Sequence, residues 1–194
     1  MKNFDRNFFA LRLTKQTNRR AVLVKSLSQN LTLGVTLLLV TPKLAAADIA
    51  VRFIESAPKD SFRFENLGSC AITQEILALD LSKSAAGLIF DTEPTGRGVE
   101  VFQPLEVTQG ADFLVEAPVT QDGASKTELV VSELPPSGAI RLTVDVDDTL
   151  TASDLGQIRV SGSEIVGAEV RLGEIIAVFD ETGRALLTVA CETA

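Results

Sequence analysis

Aspartate is the one chemistry-bearing residue that this sequence gathers into a cluster. The run Thr143-Val-Asp145-Val-Asp147-Asp148-Thr149-Leu150 holds three carboxylates, and Asp154 follows shortly after. In an extended chain successive side chains point to opposite faces. Asp145 and Asp147 then share a face, while Asp148 and Asp154 sit on the loop that follows. Close like charges cost energy unless water or a counter-charge neutralises them. A hard cation such as Ca²⁺ takes about six to eight oxygens, which carboxylates at a strand end and loop carbonyls can provide. Asp145, Asp147, Asp148 and Asp154 are therefore the candidate Ca²⁺ ligands, against the simpler expectation of a solvated acidic loop. Their spacing is not that of an EF-hand, which needs ligands at fixed intervals around a central glycine.

Catalytic readings of the same inventory fail. Asp145-Val-Asp147-Asp148-Thr149 resembles the Asp-x-Asp-x-Thr loop of haloacid dehalogenase-like phosphatases. That chemistry needs a parallel strand, a downstream lysine and a further acidic pair for Mg²⁺. Here the last lysine, Lys126, lies upstream, and only 45 residues follow Thr149. Ser56-Ala-Pro-Lys59 has the spacing of some acyl-enzymes, but those place Ser and Lys one turn apart on a helix, and Pro58 argues for a turn. The chain has no histidine, so the ordinary serine and cysteine triads are unavailable. With no histidine, only two cysteines and no Met beyond Met1, no haem, blue-copper or His/Cys zinc site can be built, and the absence of Trp and Tyr leaves a glycosidase without its usual aromatic platforms. The expectation is a protein without catalytic residues, and without a cofactor other than the candidate Ca²⁺.

The first 47 residues differ from the rest. They hold eight of the 18 basic residues and only one acid, Asp5. An apolar run, Leu31–Val40, leads to Pro42 and then Ala45-Ala-Ala47-Asp48. A basic start, a short apolar stretch and small residues at −3 and −1 describe a secretory signal cleaved between Ala47 and Asp48. The run is about half the roughly 20 residues needed to span a bilayer, so no transmembrane anchor is expected. Lys43 beside the cleavage point is unusual, and so is the long basic region, which a translation start at Val24 would shorten to a compact segment beginning Lys25-Ser-Leu. Arg19-Arg20 matches a twin-arginine signal only loosely.

The expected domain organisation is a cleaved signal peptide, 1–47, and a single domain, 48–194. Those 147 residues carry ten basic and 25 acidic side chains, a net charge of −15. Such a field repels nucleic acid and anionic membranes, and nucleic acid is not an expected partner. Cys70 and Cys191, the only cysteines, should form a disulfide in an oxidising compartment. Closing so long a loop contributes about 4–5 kcal/mol in the chain-entropy model.

The elements that must position these residues read as short strands of period two, bounded by Gly, Pro, Asp or Ser. They are expected at Ile49–Ile54, Phe62–Glu65, Ile76–Leu81, Gly87–Asp91, Val99–Phe102, Leu105–Val107, Phe113–Glu116, Lys126–Ser132, Ala139–Val146, Gln157–Val160, Ala168–Leu172, Ile175–Phe179 and Arg184–Ala190. Ile140, Leu142, Val144 and Val146 should face a core. Ser69–Leu77 offers a short helical turn. The pattern predicts an all-β fold, an immunoglobulin-like antiparallel β-sandwich after the signal segment.

Several stretches together resemble a family of small exported proteins of marine-type proteobacteria, labelled "aggregation factor core". They are Ala47-Asp-Ile-Ala-Val-Arg-Phe53, Ala57-Pro-Lys-Asp60, Ser84-Ala-Ala-Gly-Leu-Ile-Phe-Asp91, Gly98-Val-Glu-Val-Phe-Gln-Pro104, Asp145-Val-Asp-Asp-Thr-Leu150 and Val160-Ser-Gly-Ser-Glu-Ile165. The resemblance implies a surface or extracellular role in contacts between cells and supplies no catalytic residues. The expected function is thus a non-catalytic secreted or periplasmic adhesion or binding module, cation-dependent at a cell surface or matrix. Its partner would be a protein or polysaccharide surface. The alternatives are a structural or accessory part of a periplasmic or surface assembly and, last, a hydrolase.

Overall fold

Alternating apolar and polar residues build ten strands among the residues that the computed structural model describes, 46–98, 102–152 and 159–191. All lie in the unit Pro42–Ala194. The strands are β1 (Ala46–Ile54), β2 (Asp60–Asn66), β3 (Ile72–Asp80), β4 (Ile89–Asp91), β5 (Glu106–Gln109), β6 (Lys126–Leu134), β7 (Ala139–Asp147), β8 (Glu169–Leu172), β9 (Ile175–Val178) and β10 (Arg184–Ala190). A 3-10 turn, Ala111–Phe113, and one helical turn, α1 (Gly162–Ile165), complete them. No helix among the described residues is long and apolar enough to cross a membrane.

Two antiparallel sheets result. One runs in the order β10-β1-β2-β7-β4, with β5 also paired to β7; the other runs β6-β3-β8-β9. The fold is an all-β sandwich. Sandwiching follows from the alternation, because each sheet has one apolar face that must be covered. Phe62, Phe64, Ile140, Leu142, Val144 and Val146 of the first sheet meet Leu77, Leu79, Leu129, Val131 and Val170 of the second, all of them completely buried. Phe62 is central, with its ring 5.2 Å from Phe53 and edge-on to Phe90 at 6.5 Å and Phe179 at 6.4 Å. The core face expected of β7 is the one observed.

The Cys70–Cys191 disulfide forms. Cys70 precedes β3 and Cys191 follows β10, so the bond ties the edge of the first sheet to an inner strand of the second. Buried Asn66 organises the approach to Cys70. Its amide donates to the Cys70 and Leu134 carbonyls at 2.8 and 3.0 Å, and its side-chain oxygen accepts from the Gly68 N–H at 3.0 Å.

Four local expectations change. The helical turn at Ser69–Leu77 is replaced by β3, which bonds β6 on one side and β8 on the other; burial of Leu77, Leu79 and Leu81 on one face outweighs local preference. Phe113–Glu116 is not a strand. Gly110 adopts a left-handed conformation, φ 74°, that starts the 3-10 turn, and only Leu114 bridges across to Val131. Arg159 and Val160 belong to no strand, while 157 and 158 lie outside the described residues. Phe102 likewise belongs to no strand, and 99–101 lie outside them.

The expected signal segment lies outside the described residues as far as residue 45. Ala47 and Asp48, on either side of the expected cleavage point, pair in β1 with Val189 and Thr188.

Candidate metal centre

β7 carries the site on the face away from the core. Arg141 is exposed and Thr143 half-buried there, yet Asp145 and Asp147 are buried. The change comes from what covers the end of the strand. Antiparallel pairing with β4 sets Asp91 directly opposite Asp145, so both carboxyls leave the sheet on the same side. Phe90, paired with Val146, points to the core instead.

Residues 92–98 and 102–103 pack beside the three carboxyls. The Gln103 N–H donates to the Asp91 carbonyl at 3.2 Å, and the Asp145 N–H donates to the Gln103 carbonyl at 3.2 Å. Gly98 packs against the carboxyls themselves: a β-carbon there would lie 2.3 Å from Asp91 Cγ and 2.4 Å from Asp147 Oδ2. Asp122 anchors the loop by accepting from the N–H groups of Thr92, Glu93 and Arg97 at 2.9, 3.2 and 2.7 Å. Burial pushes the Asp122 carboxyl up, but these three donors outweigh it and hold the group below the usual carboxylate range.

Carboxylate oxygens of Asp91, Asp145 and Asp147 converge to within 4.8 Å of one another. That is about twice a Ca²⁺–oxygen distance of ~2.4 Å, so one ion fits between them. Asp91 is completely buried, and no donor reaches either of its oxygens. Asp145 Oδ2 is buried without a donor as well. The carboxyls of Asp147 and Asp122 do lie within hydrogen-bonding range of Asp91. Two ionised carboxylates offer only acceptors, so such contacts require a proton or a cation between them.

The titration follows from that crowding. Burial first, then the charges of Asp147 and Asp122, raises Asp91 to about 6. Burial, then Asp147 and Asp91, raises Asp145 to about 7. On the other side of the sheet, at the start of β2, burial raises Asp60 to about 8, opposed by the Ser56 N–H and reinforced by Asp145. Without a cation, raised values of this kind favour the protonated carboxyls. A divalent ion bound there would neutralise the centre at pH values where those protons leave. The all-oxygen donor set suits Ca²⁺ or another hard cation.

Two of the four expected ligands, Asp145 and Asp147, thus come together. Asp148 is buried on the loop that follows; one of its oxygens accepts from the Leu150 N–H at 2.8 Å, and it is not part of the convergent group. Asp154 lies outside the described residues. The sequence reading missed Asp91, Asp122 and Gly98. The available signals were a strand ending at Asp91 and a turn at Asp122-Gly123, but nothing in the chain alone states which strand lies beside β7.

The two motifs with catalytic spacing are placed differently from what those chemistries require. β7 is antiparallel to β2, β4 and β5, not the parallel strand that a dehalogenase-type loop requires. Lys59 pairs with Glu106 at 2.7 Å rather than with Ser56, and the Ser56 N–H donates to Asp60 at 3.1 Å.

Comparison with protein-family models, with curated proteins and with solved structures finds no match to this chain.

Proposed function

We propose that this protein is an exported, non-catalytic adhesion or binding module in which Asp91, Asp145 and Asp147 hold Ca²⁺. The observation that carries the cation assignment is Asp91, a fully buried carboxylate with no donor to either oxygen. Isolated buried charge of that kind is strongly unfavourable unless paired or neutralised. In this reading the ion pins residues 92–98 to the sheet and sets the shape of that end of the sandwich. Export is supported by the basic-apolar-small pattern of residues 1–47 and by a disulfide, which persists in oxidising compartments. The adhesive role follows the resemblance to the aggregation-factor-core proteins, and the chain has no histidine to serve an ordinary triad.

The test is adherence of the purified exported form to whole cells and to extracellular matrix, in Ca²⁺ and in EDTA. Binding that needs Ca²⁺, and that fails for Asp91→Asn, is expected. Turnover of ester, phosphate or glycoside substrates, or adherence indifferent to EDTA, would contradict the proposal. A second reading, a part of a larger surface assembly, is favoured by β9. It stands at the end of its sheet with Ile176 and Val178 exposed, and co-purification with a stable partner would support it.

A further inference from the structure

The outer face of the larger sheet carries a row of arginines. The registers place Arg184 opposite Arg52, Arg52 opposite Arg63, and Arg63 opposite Arg141. Residues directly opposite in antiparallel strands project from the same face, so four guanidinium groups line up across β10, β1, β2 and β7. Three interstrand spacings of about 4.8 Å give the row a span of roughly 14 Å. The 147 residues after Ala47 hold only ten basic side chains against 25 acidic ones. Four of those ten stand in this single row.

Like charges placed directly opposite one another are destabilising, and the local compensation is incomplete. Arg63 reaches Glu65 at 3.3 Å and Gln109 at 3.1 Å, and Arg141 donates to Ser61 Oγ at 3.1 Å. Arg52 has no ion pair or side-chain hydrogen bond among the described residues. Arg184 helps to lower Asp180, but after the Thr182 and Arg184 backbone and hydroxyl donors, and it makes no ion pair among the described residues. Arg52, Arg63 and Arg184 line an open groove of about 610 Å³ together with two carboxylates, Glu65 and Asp180, so three cations face two anions there. A surface tuned only for solubility has no reason to align its scarce cations.

We propose that this row is the docking surface for a linear polyanion, a polysaccharide bearing carboxylate or sulfate groups, laid across the strands. The planar guanidinium fork matches carboxylate and sulfate oxygens in paired hydrogen bonds. The net charge of −15 opposes attraction from a distance, so each contact is weak and several must act together. That requirement selects a polymer over a single anion. An acidic peptide is a poorer fit, because an extended chain offers same-face side chains every ~6.8 Å, out of step with the rungs. The inference rests on reading the chain as a binding module but not on the cation centre.

The experiment measures binding of the exported protein to immobilised heparin and to immobilised polygalacturonate, in EDTA so that cation bridging contributes nothing. Retention at low salt that declines as NaCl rises is expected. Arg52→Gln/Arg184→Gln should weaken it at least tenfold while raising the melting temperature, since opposed charges are removed and the fold remains. The charge-matched Lys83→Gln/Arg159→Gln should bind as the unaltered protein does. No retention on either polymer overturns the proposal, as does equal weakening by both double variants. Binding seen only with Ca²⁺ overturns it while leaving the cation reading in place. Self-association that the arginine variant abolishes, with neither polymer bound, reassigns the row to a second copy of the chain and also overturns it.

Discussion

Replacing Asp91 by Asn should have opposite effects on the metal-free and the Ca²⁺-loaded protein. In the folded state Asp91 is raised from 3.8 to about 6. At pH 8 it is ionised, and a shift of about two units corresponds to about 3 kcal/mol of unfavourable charge burial, at ~1.4 kcal/mol per unit. Asp145 and Asp147 share the same field, so this is an upper figure for one residue. Asparagine keeps the shape, removes the charge and adds a donor that can face Asp147. In EDTA at pH 8 the variant should be the more stable by up to about 3 kcal/mol, or roughly 6–12 °C in melting temperature for a domain of this size. With Ca²⁺ at a hundredfold excess over Kd, the unaltered protein gains about 2.7 kcal/mol, and the variant should gain little. Thermal unfolding of both proteins, in EDTA and with matched CaCl₂, MgCl₂ and NaCl, measures all of this. An Asp91→Asn protein that melts lower in EDTA, and keeps its Ca²⁺ increment, would show that protein donors already satisfy the carboxylate.

The pH dependence of the metal-free protein follows from the same groups. Asp91, Asp145 and Asp60 are raised to about 6, 7 and 8, so the folded state binds more protons than the unfolded one. Their contribution is fully present below about pH 4 and is lost as pH rises through those values. Asp80, Asp122, Asp180 and Glu169 are lowered instead, and their contribution is lost as acid is added below about pH 4. Melting temperature in EDTA should therefore peak near pH 4–5 and fall towards pH 8, and Ca²⁺ should restore it at the alkaline end; a flat profile in EDTA contradicts the assignment. Gly98→Ala places a methyl 2.3–2.4 Å from atoms of Asp91 and Asp147, and titration calorimetry should show Ca²⁺ affinity falling at least tenfold. Cys70→Ser/Cys191→Ser opens a link between residues 121 apart and should cost about 4 kcal/mol, seen as a lower denaturant midpoint. Phe62→Ala empties the centre of the aromatic cluster and should cost about 3–5 kcal/mol by the same assay.

Period-two alternation made most of the sandwich legible because burial on one face of a strand imposes it directly. β10 falls on the residues expected, and the core positions of β7 could be named one by one. Reading failed where the cause was not local. Ser69–Leu77 lacks a decisive pattern, and partners on both sides make most of it a strand. Phe113–Glu116 has strand-like composition, but the conformation of Gly110 turns the chain first. The metal centre divides along the same line. Asp145 and Asp147 share a face by parity within one strand, which sequence encodes. Asp91 joins them through the register of β4 on β7, and Asp122 acts through a loop 25 to 30 residues away. The arginine row depends on three registers at once, and its members are at least 11 residues apart in the chain, with nothing local to link them.

The claim that Asp91, Asp145 and Asp147 hold a cation is tested most directly by titrating CaCl₂ into EDTA-treated, dialysed protein at pH 8 in a calorimeter, with Mg²⁺ present throughout. The account predicts one Ca²⁺ per chain, affinity that weakens as pH is lowered through about 7 and 6, and no binding in Asp91→Asn. No binding by the unaltered protein, or the same isotherm from the variant, would contradict it.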